Sequence, residues 1–410
     1  PSVAYRVLLA FPFGGMEAKS LRIEPREPRA LEAPSTTTPA APGEGVGATI
    51  AGDRLSLTLG PDGSARLTDL RSGATVEDAL ALIFEDDHGD SYTAVPANPR
   101  RLALAELGEA LHGRHQSILR LRYAAEDGSE IRLQCSLRRG EPFLRLRAEV
   151  ENRSENRRYQ LRVRLPGAAA EHYSDTPFDL VRRTNRRNRY QWTSPRNEAP
   201  ESSAPSSSLV WAGGLALYHD GLHEYEVEPG NRAAAAGRPG AAGAPAGETV
   251  APGAPEAPGA VYLTLLRGTG MLSKGALPNR GGGAGPHLAT PEGQCLGSYH
   301  AEVGLSFCAL EEAQAQARRF LRRPPARQGR RPLQARGAFT LESERLMVSA
   351  HYALDGRRRI LRLWNPTGER EAAAYSFPCP VRLVGITLDE EGRIRREALL
   401  GDAGGGRPGK

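Results

Sequence analysis

The chain has 410 residues, 39% of them apolar, with 46 Gly and 32 Pro, which exceeds one ordinary hydrophobic core and implies two or three domains joined by turn-rich segments. Its 54 basic and 48 acidic residues leave a formal charge of +6, and the arginines are spread with few interleaved aromatics, which argues against a nucleic-acid partner. Cys135, Cys295, Cys308 and Cys379 make no CxxC pair and no run of 18 apolar residues occurs, so neither a zinc ribbon, a disulfide framework nor a membrane-spanning helix is expected, and the cytoplasm is the expected compartment.

Residues 1–46 read as leading strands (3–11 and 20–23) and a Pro-rich linker; the opening Pro1 in a strand-like run suggests a cut inside a longer polypeptide. From Arg54 the pattern has period two: Leu55, Leu57 and Leu59 alternate with polar residues, and Asp62-Gly63 supplies a hairpin turn into 65–70. The same alternation recurs at Leu119, Leu121 and Tyr123, at Ile131 to Leu137, at Leu144 to Val150 and at Leu161 to Leu165, with Arg-rich faces between that are expected to meet water. Short amphipathic strands separated by turns predict an antiparallel sandwich.

Directly after the apolar run 80–84 lies Glu85-Asp86-Asp87-His88-Gly89-Asp90-Ser91-Tyr92-Thr93-Ala94-Val95-Pro96, a loop able to aim polar groups at a sugar or a neighbouring domain, or simply a solvated acidic loop. The segment 172–192 reads as a loop carrying Arg182, Arg183, Arg186, Arg187 and Arg189 beside Tyr190 and Trp192, either a carboxylate- or sugar-binding cluster or a surface lip. Residues 209–227 read as a hairpin turning at Asp220-Gly221, with His219 and His223 exposed rather than paired on a metal.

Residues 230–259 are an Ala/Gly/Pro-rich insertion, and strands at 260–267 and 298–308 flank a loop in which Arg280 is the reaching charge or a solvated cation. That loop lacks a GK[ST] ending and is not a phosphate cradle. A helix is predicted over 311–321, ended by Pro324-Pro325, and a last set of strands (338–341, 346–352, 359–364, 372–377 and 381–388) forms a small sandwich. The expected domains are 1–46, a β domain at 47–325, a small β-sandwich at 326–400 and a tail at 401–410.

Taken in order, the loop 84–92, Ser174-Asp175-Thr176-Pro177-Phe178, Gly214-Leu215-Ala216-Leu217, Asp220-Gly221-Leu222-His223-Glu224-Tyr225-Glu226-Val227, Leu263-Thr264-Leu265-Leu266-Arg267, Gly270-Met271-Leu272-Ser273, Thr290-Pro291-Glu292-Gly293-Gln294-Cys295-Leu296-Gly297 and Ile360-Leu361-Arg362-Leu363-Trp364-Asn365-Pro366-Thr367 resemble the C-terminal half of bacterial α-mannosidases of glycoside hydrolase family 38, the group that includes mannosylglycerate hydrolases. The resemblance implies an all-β fold, a galactose-mutarotase-like supersandwich of antiparallel strands followed by a small C-terminal β-sandwich. It implies retaining hydrolysis of α-mannosidic bonds, with catalytic residues and zinc ligands in an N-terminal catalytic domain of the same polypeptide, no catalytic residue, cofactor or metal in this fragment, and no activity of the fragment alone.

It further implies substrate-binding roles for Tyr92, in the Tyr-x-x-x-Pro pattern ending at Pro96, and for Arg280, acting on a mannose-containing substrate; Asp90 is carried as a third candidate. Asp86, Asp87 and Asp90 otherwise read as loop-shaping or interface groups. The alternative is a free-standing carbohydrate-binding or mutarotase-like module, in which His172 or His300 would work with Glu224 as acid and base.

Overall fold

The computed structural model describes residues 35–37, 47–169, 171–177, 179–184, 203–228, 259–322, 340–342, 346–353, 359–364, 374–376, 381–388 and 394–403. The expectations placed on 1–34, on Arg186 to Trp192 and on 230–258 lie outside these residues. The chain divides into two compact units, Glu32–Arg323, and Pro1–Leu31 together with Pro324–Lys410.

The larger unit is built from antiparallel strands: β1 (Ser35–Thr37), β2 (Ala48–Ala51), β3 (Leu55–Leu59), β4 (Ala65–Asp69), β5 (Thr75–Val76), β6 (Leu80–Asp87), β7 (Pro96–Arg101), β8 (Ala103–Leu107), β9 (Ala110–His112), β10 (Gln116–Ala124) and β11 (Glu130–Arg138). These are followed by β12 (Leu144–Asn152), β13 (Arg157–Arg164), β14 (Glu171–Thr176), β15 (Asp179–Thr184), β16 (Ser203–Pro205), β17 (Leu209–Ala212), β18 (Leu215–His219), β19 (Glu224–Glu228), β20 (Ala260–Arg267) and β21 (Gly297–Phe307). Among the described residues the one α-helix, α1, spans Leu310–Leu321, one residue longer than its prediction.

The strands form an 11-stranded sheet in the order β1-β9-β10-β11-β12-β21-β18-β17-β14-β15, with β8 also on β10, a six-stranded sheet β16-β19-β20-β13-β6-β7 and a four-stranded sheet β2-β3-β4-β5. The predicted alternation is what lets them stack: Leu57, Leu133, Leu146, Leu161, Leu263 and Val303 belong to a single core shared by all three sheets. A satellite core lies under α1, where Ala313, Ala317 and Phe320 meet Phe143, Ala216 and Tyr218. Arg145 stacks over Phe143 and Phe320, 4.8 and 4.7 Å from the ring centroids, so its stem covers apolar surface.

Four expectations are corrected. The first part of the 172–192 segment is not a loop: β14 and β15 pair as a hairpin at the edge of the large sheet. The turn at Asp220-Gly221 closes no hairpin. The hairpin is β17–β18, closed by Gly213 and Gly214 with φ of +55° and +84°, the left-handed pair a tight two-residue turn requires, and the chain then leaves this sheet to enter the six-stranded one as β19. The Pro-rich linker contributes β1, which pairs with β9. Finally, the outer face of β13 does not simply meet water, since Arg158 is 1% exposed.

In the smaller unit, Thr340–Glu342 pairs with Ala374–Ser376, Met347–Ala353 with Arg359–Trp364, and Val381–Leu388 with Ile394–Ala403, all antiparallel. The last of these strands was not foreseen and reaches into the stretch expected as a tail.

Candidate functional site

The site is the rim where β6 hands over to β7. The loop between them meets the segment 268–296, which links β20 to β21. Two carboxylates organise it. Asp87, at the end of β6, accepts the backbone N–H groups of Gly89 (2.8 Å) and Val95 (2.9 Å) on Oδ1, and its Oδ2 accepts Arg267 Nε at 2.5 Å. Arg267, the last residue of β20, also donates to the Asp90 carbonyl at 2.6 Å. The Asp87 side chain therefore folds the loop back on itself and ties it to β20, the strand beyond β13 in the same sheet.

Asp90 repeats the device one turn further out. Its Oδ1 accepts the N–H groups of Tyr92 (3.0 Å) and Thr93 (2.9 Å), and its Oδ2 accepts the N–H of Lys274 at 2.7 Å. Arg280 bonds both carboxylate oxygens and donates to Thr93 Oγ1 (2.6 Å) and to the Gly282 carbonyl (2.7 Å). Burial alone would push the Asp90 carboxyl up; the Arg280 bond and the three backbone donors outweigh it and bring it down to about 2. Further bonds close the junction. Ser91 N–H and Oγ donate to the Met271 carbonyl, Asn279 Nδ2 donates to the Ala94 carbonyl and Lys274 Nζ to the His88 carbonyl.

Asp90 and Arg280 are thus brought together, but as an internal pair 0% and 4% exposed. The reading of Arg280 as a charge reaching outward is corrected: five guanidinium donors converge on loop carbonyls, a hydroxyl and a carboxylate, leaving the group nothing to offer a ligand. Asp90 is likewise saturated as an acceptor. His88-Gly89-Asp90 does not fit a zinc ligand pair for the same reason, and no group of three or more His, Cys, Asp or Glu suited to a metal occurs among the described residues. Tyr92, unlike Asp90, Thr93 and Arg280, is 54% exposed, its ring end lying over Gly285.

Asp87 shapes the loop as expected of it, whereas sequence reasoning missed Arg267, Lys274 and Asn279 as members of the site. The signal available was only their position at strand ends or in Gly-rich segments; their partners are about 180 residues away. Gly89 has a plainer requirement. A Cβ there would overlap the Thr93 carbonyl oxygen and come within 2.8 Å of the Val95 nitrogen, both backbone atoms that cannot swing aside. Gly89→Ala is expected to destabilise the larger unit by about 1–3 kcal/mol, measured by urea unfolding, and an unchanged midpoint would contradict this packing.

The acid–base pairs of a mutarotase are not assembled. Tyr225 lies in the core, its ring 5.5 Å from that of His172, so Glu224, one residue away on β19, projects from the opposite face. There Glu224 accepts Arg158 Nη1 at 2.7 Å. His300 is exposed on β21, in register with Glu149 of β12. His219 also departs from expectation: it is 0% exposed, with Nε2 2.5 Å from Ser206 Oγ and Nδ1 accepting the Leu222 N–H. The backbone N–H can only donate, so Nδ1 is bare and Nε2 carries the proton toward Ser206. This His holds the serine without activating it.

No protein-family model matches the sequence, and no curated protein matches it. Two solved structures from Enterococcus faecalis are similar in fold: an alpha-mannosidase of strain V583, with TM-score 0.61 and 16% identity over 86% of this chain, and a protein in the glycosyl hydrolase family 38, with TM-score 0.60 and 16% identity, also over 86% of this chain. The chain spans 40% and 42% of the length of those two proteins. At such identity the likeness is one of fold.

Proposed function

We propose that this chain is the β-rich part of a retaining α-mannosidase of glycoside hydrolase family 38, contributing a wall of the sugar pocket and packing against a catalytic part that carries the zinc. The observation that carries the reading is the tip itself. Two loops that bear the family-like motifs, far apart in sequence, interlock through Asp87–Arg267 and Asp90–Arg280 and present Tyr92 outward. The fold likeness to the alpha-mannosidase and to the family 38 protein supports placing that tip beside an active site.

Retaining hydrolysis needs two carboxyl groups about 5–5.5 Å apart, one accessible to the anomeric carbon and one able to exchange protons. Asp87 and Asp90 are committed to arginines and backbone donors, which supports assigning both catalytic carboxylates, like the zinc, to the other part of the enzyme. We place substrate contact at Tyr92, whose ring and hydroxyl suit a hexose: the ring face meets sugar C–H groups and the hydroxyl exchanges hydrogen bonds with sugar hydroxyls. The substrate class within α-mannosides, including a mannosylglycerate-like one, belongs to this proposal. Cys135, Cys295 and Cys308 are free thiols, which supports a reducing, cytoplasmic location.

The test compares this chain with a polypeptide extended by the upstream reading frame. The extended protein is expected to bind zinc stoichiometrically and to cleave a nitrophenyl α-mannoside, and this chain to do neither. Turnover by this chain alone would overturn the proposal.

A further inference from the structure

This inference rests on the sugar-wall reading and adds how its exposed aromatic is held. Tyr92 is 54% exposed, and its hydroxyl has no hydrogen-bond partner among the described residues, yet the backbone beneath it is held by a buried carboxylate. Its N–H is donated to Asp90 Oδ1, the same carboxylate that takes the N–H groups of Thr93 and Lys274, so one side chain fixes the Tyr92 backbone and the facing loop together. Arg280 locks that carboxylate and anchors Gly282. From there the facing loop continues to Ala284 and Gly285, whose N–H groups both donate to the buried Ser273 Oγ at 3.1 and 3.2 Å.

Gly285 is where the two halves meet. A Cβ on Gly285 would lie 2.9 Å from Tyr92 Oη and 3.2 and 3.3 Å from Cε2 and Cζ. The obstructed atoms are the free end of the tyrosine and not backbone, so the clash is relieved by swinging the ring away while the loops stay in place. A large aromatic left in water contributes little to folding, and here its seat is built from below by buried groups, an arrangement suited to ligand contact.

We infer that Asp90, Arg280 and Gly285 are positioning residues that preorganise Tyr92 as a contact for a hydroxylated sugar ring, Asp90 and Arg280 by fixing its backbone and Gly285 by leaving room for its ring. The ligand meets a hydroxyl and ring face already in place, so less conformational entropy is lost on binding.

The test uses 3-fluorotyrosine at position 92 of this chain, read by fluorine NMR, together with amide exchange at Tyr92, Thr93 and Lys274. Asp90→Asn is expected to speed exchange at those three amides by about ten- to a hundredfold, because it weakens charge-assisted bonds to each. Gly285→Ala is expected to shift the fluorine resonance while the three amides exchange within about twofold of the original rate. In the extended, active polypeptide, Gly285→Ala is expected to raise KM for the nitrophenyl α-mannoside about tenfold with kcat within about twofold. A fluorine resonance unmoved by Gly285→Ala, or unaltered exchange in Asp90→Asn, overturns the positioning roles, and an unchanged KM overturns the sugar contact. Absence of mannosidase activity in the extended polypeptide instead overturns the reading on which the sugar contact rests, and leaves the resonance and exchange results to decide the positioning by themselves.

Discussion

Arg158→Met is expected to destabilise the larger unit by about 3–5 kcal/mol, the cost of stripping a buried charge network of its counter-ion. Arg158 sits in the middle of the six-stranded sheet, 1% exposed, with Nε bonded to Glu85 at 2.5 Å, Nη1 to Glu224 at 2.7 Å and Nη2 2.8 Å from Glu226. Burial works against its charge, but Glu226, Glu85 and Glu224 together favour it and keep the guanidinium protonated. All three acids engage Arg158, so removing it takes from Glu85 and Glu226, which are largely withdrawn from water, a cation they face. The readout is the urea midpoint at neutral pH, with a fall in melting temperature of roughly 10 °C as the thermal counterpart. Arg147→Met, on an exposed outer-face position of β12, is the control and should stay within about 0.5 kcal/mol. A loss below about 1 kcal/mol at Arg158 would mean that the cluster is solvated.

Acid is expected to weaken the same unit through His219 well before the carboxylates titrate. Burial chiefly lowers this imidazole, to about 4, with Asp175 and Asp220 opposing and His223 adding to the effect. A proton on Nδ1 would in addition face the Leu222 N–H, turning an acceptor into a second donor. The sign follows from linkage. Above about pH 6.5 the ring is neutral in both states and the histidine is indifferent to pH; between 6.5 and 4 the unfolded chain takes up a proton that the folded chain refuses, so stability falls as pH falls, by about 3 kcal/mol at the lower limit. His219→Gln, which keeps a donor toward Ser206 without titrating, should lose less stability than the parent between pH 7 and 4.5. Equal losses in the two proteins would refute the assignment. Asp90 acts later and is lowered, so its contribution persists down to about pH 3.8 and is lost as pH approaches 2.

Both predictions concern residues that sequence reasoning handled poorly, and for the same reason. His219 ends β18, a strand buried on both faces, and precedes Asp220-Gly221, which locally specifies an exposed turn. It is buried because the chain changes sheets there and Ser206, on the connection leading out of β16, closes over the ring. Arg158 belongs to a strand whose period correctly places it on the outer face, but period says nothing about what lies above that face. Arg280 is a third case: a lone cation in a Gly-rich loop reads as solvated until Asp90, 190 residues earlier, is found within its grasp.

What the sequence determined by itself was short in range, although the β14–β15 hairpin and the Gly213-Gly214 turn escaped it. Alternation at Leu55, Leu133, Leu146 and Leu161 set strand faces and helix formers over 311–321 set α1, because these depend on neighbours within a few residues, and the ordered motifs pointed to a mannosidase-like β fold. Only the tertiary structure decided pairings between residues far apart in the chain: that Glu85 and Glu224 share Arg158, that Asp87 takes Arg267 and Asp90 takes Arg280, and that Gly285 comes to lie under Tyr92. A charged side chain carries no local sign of whether water or a counter-ion will surround it. That choice is made by the desolvation of the folded chain, which imposes a partner wherever the fold withdraws water.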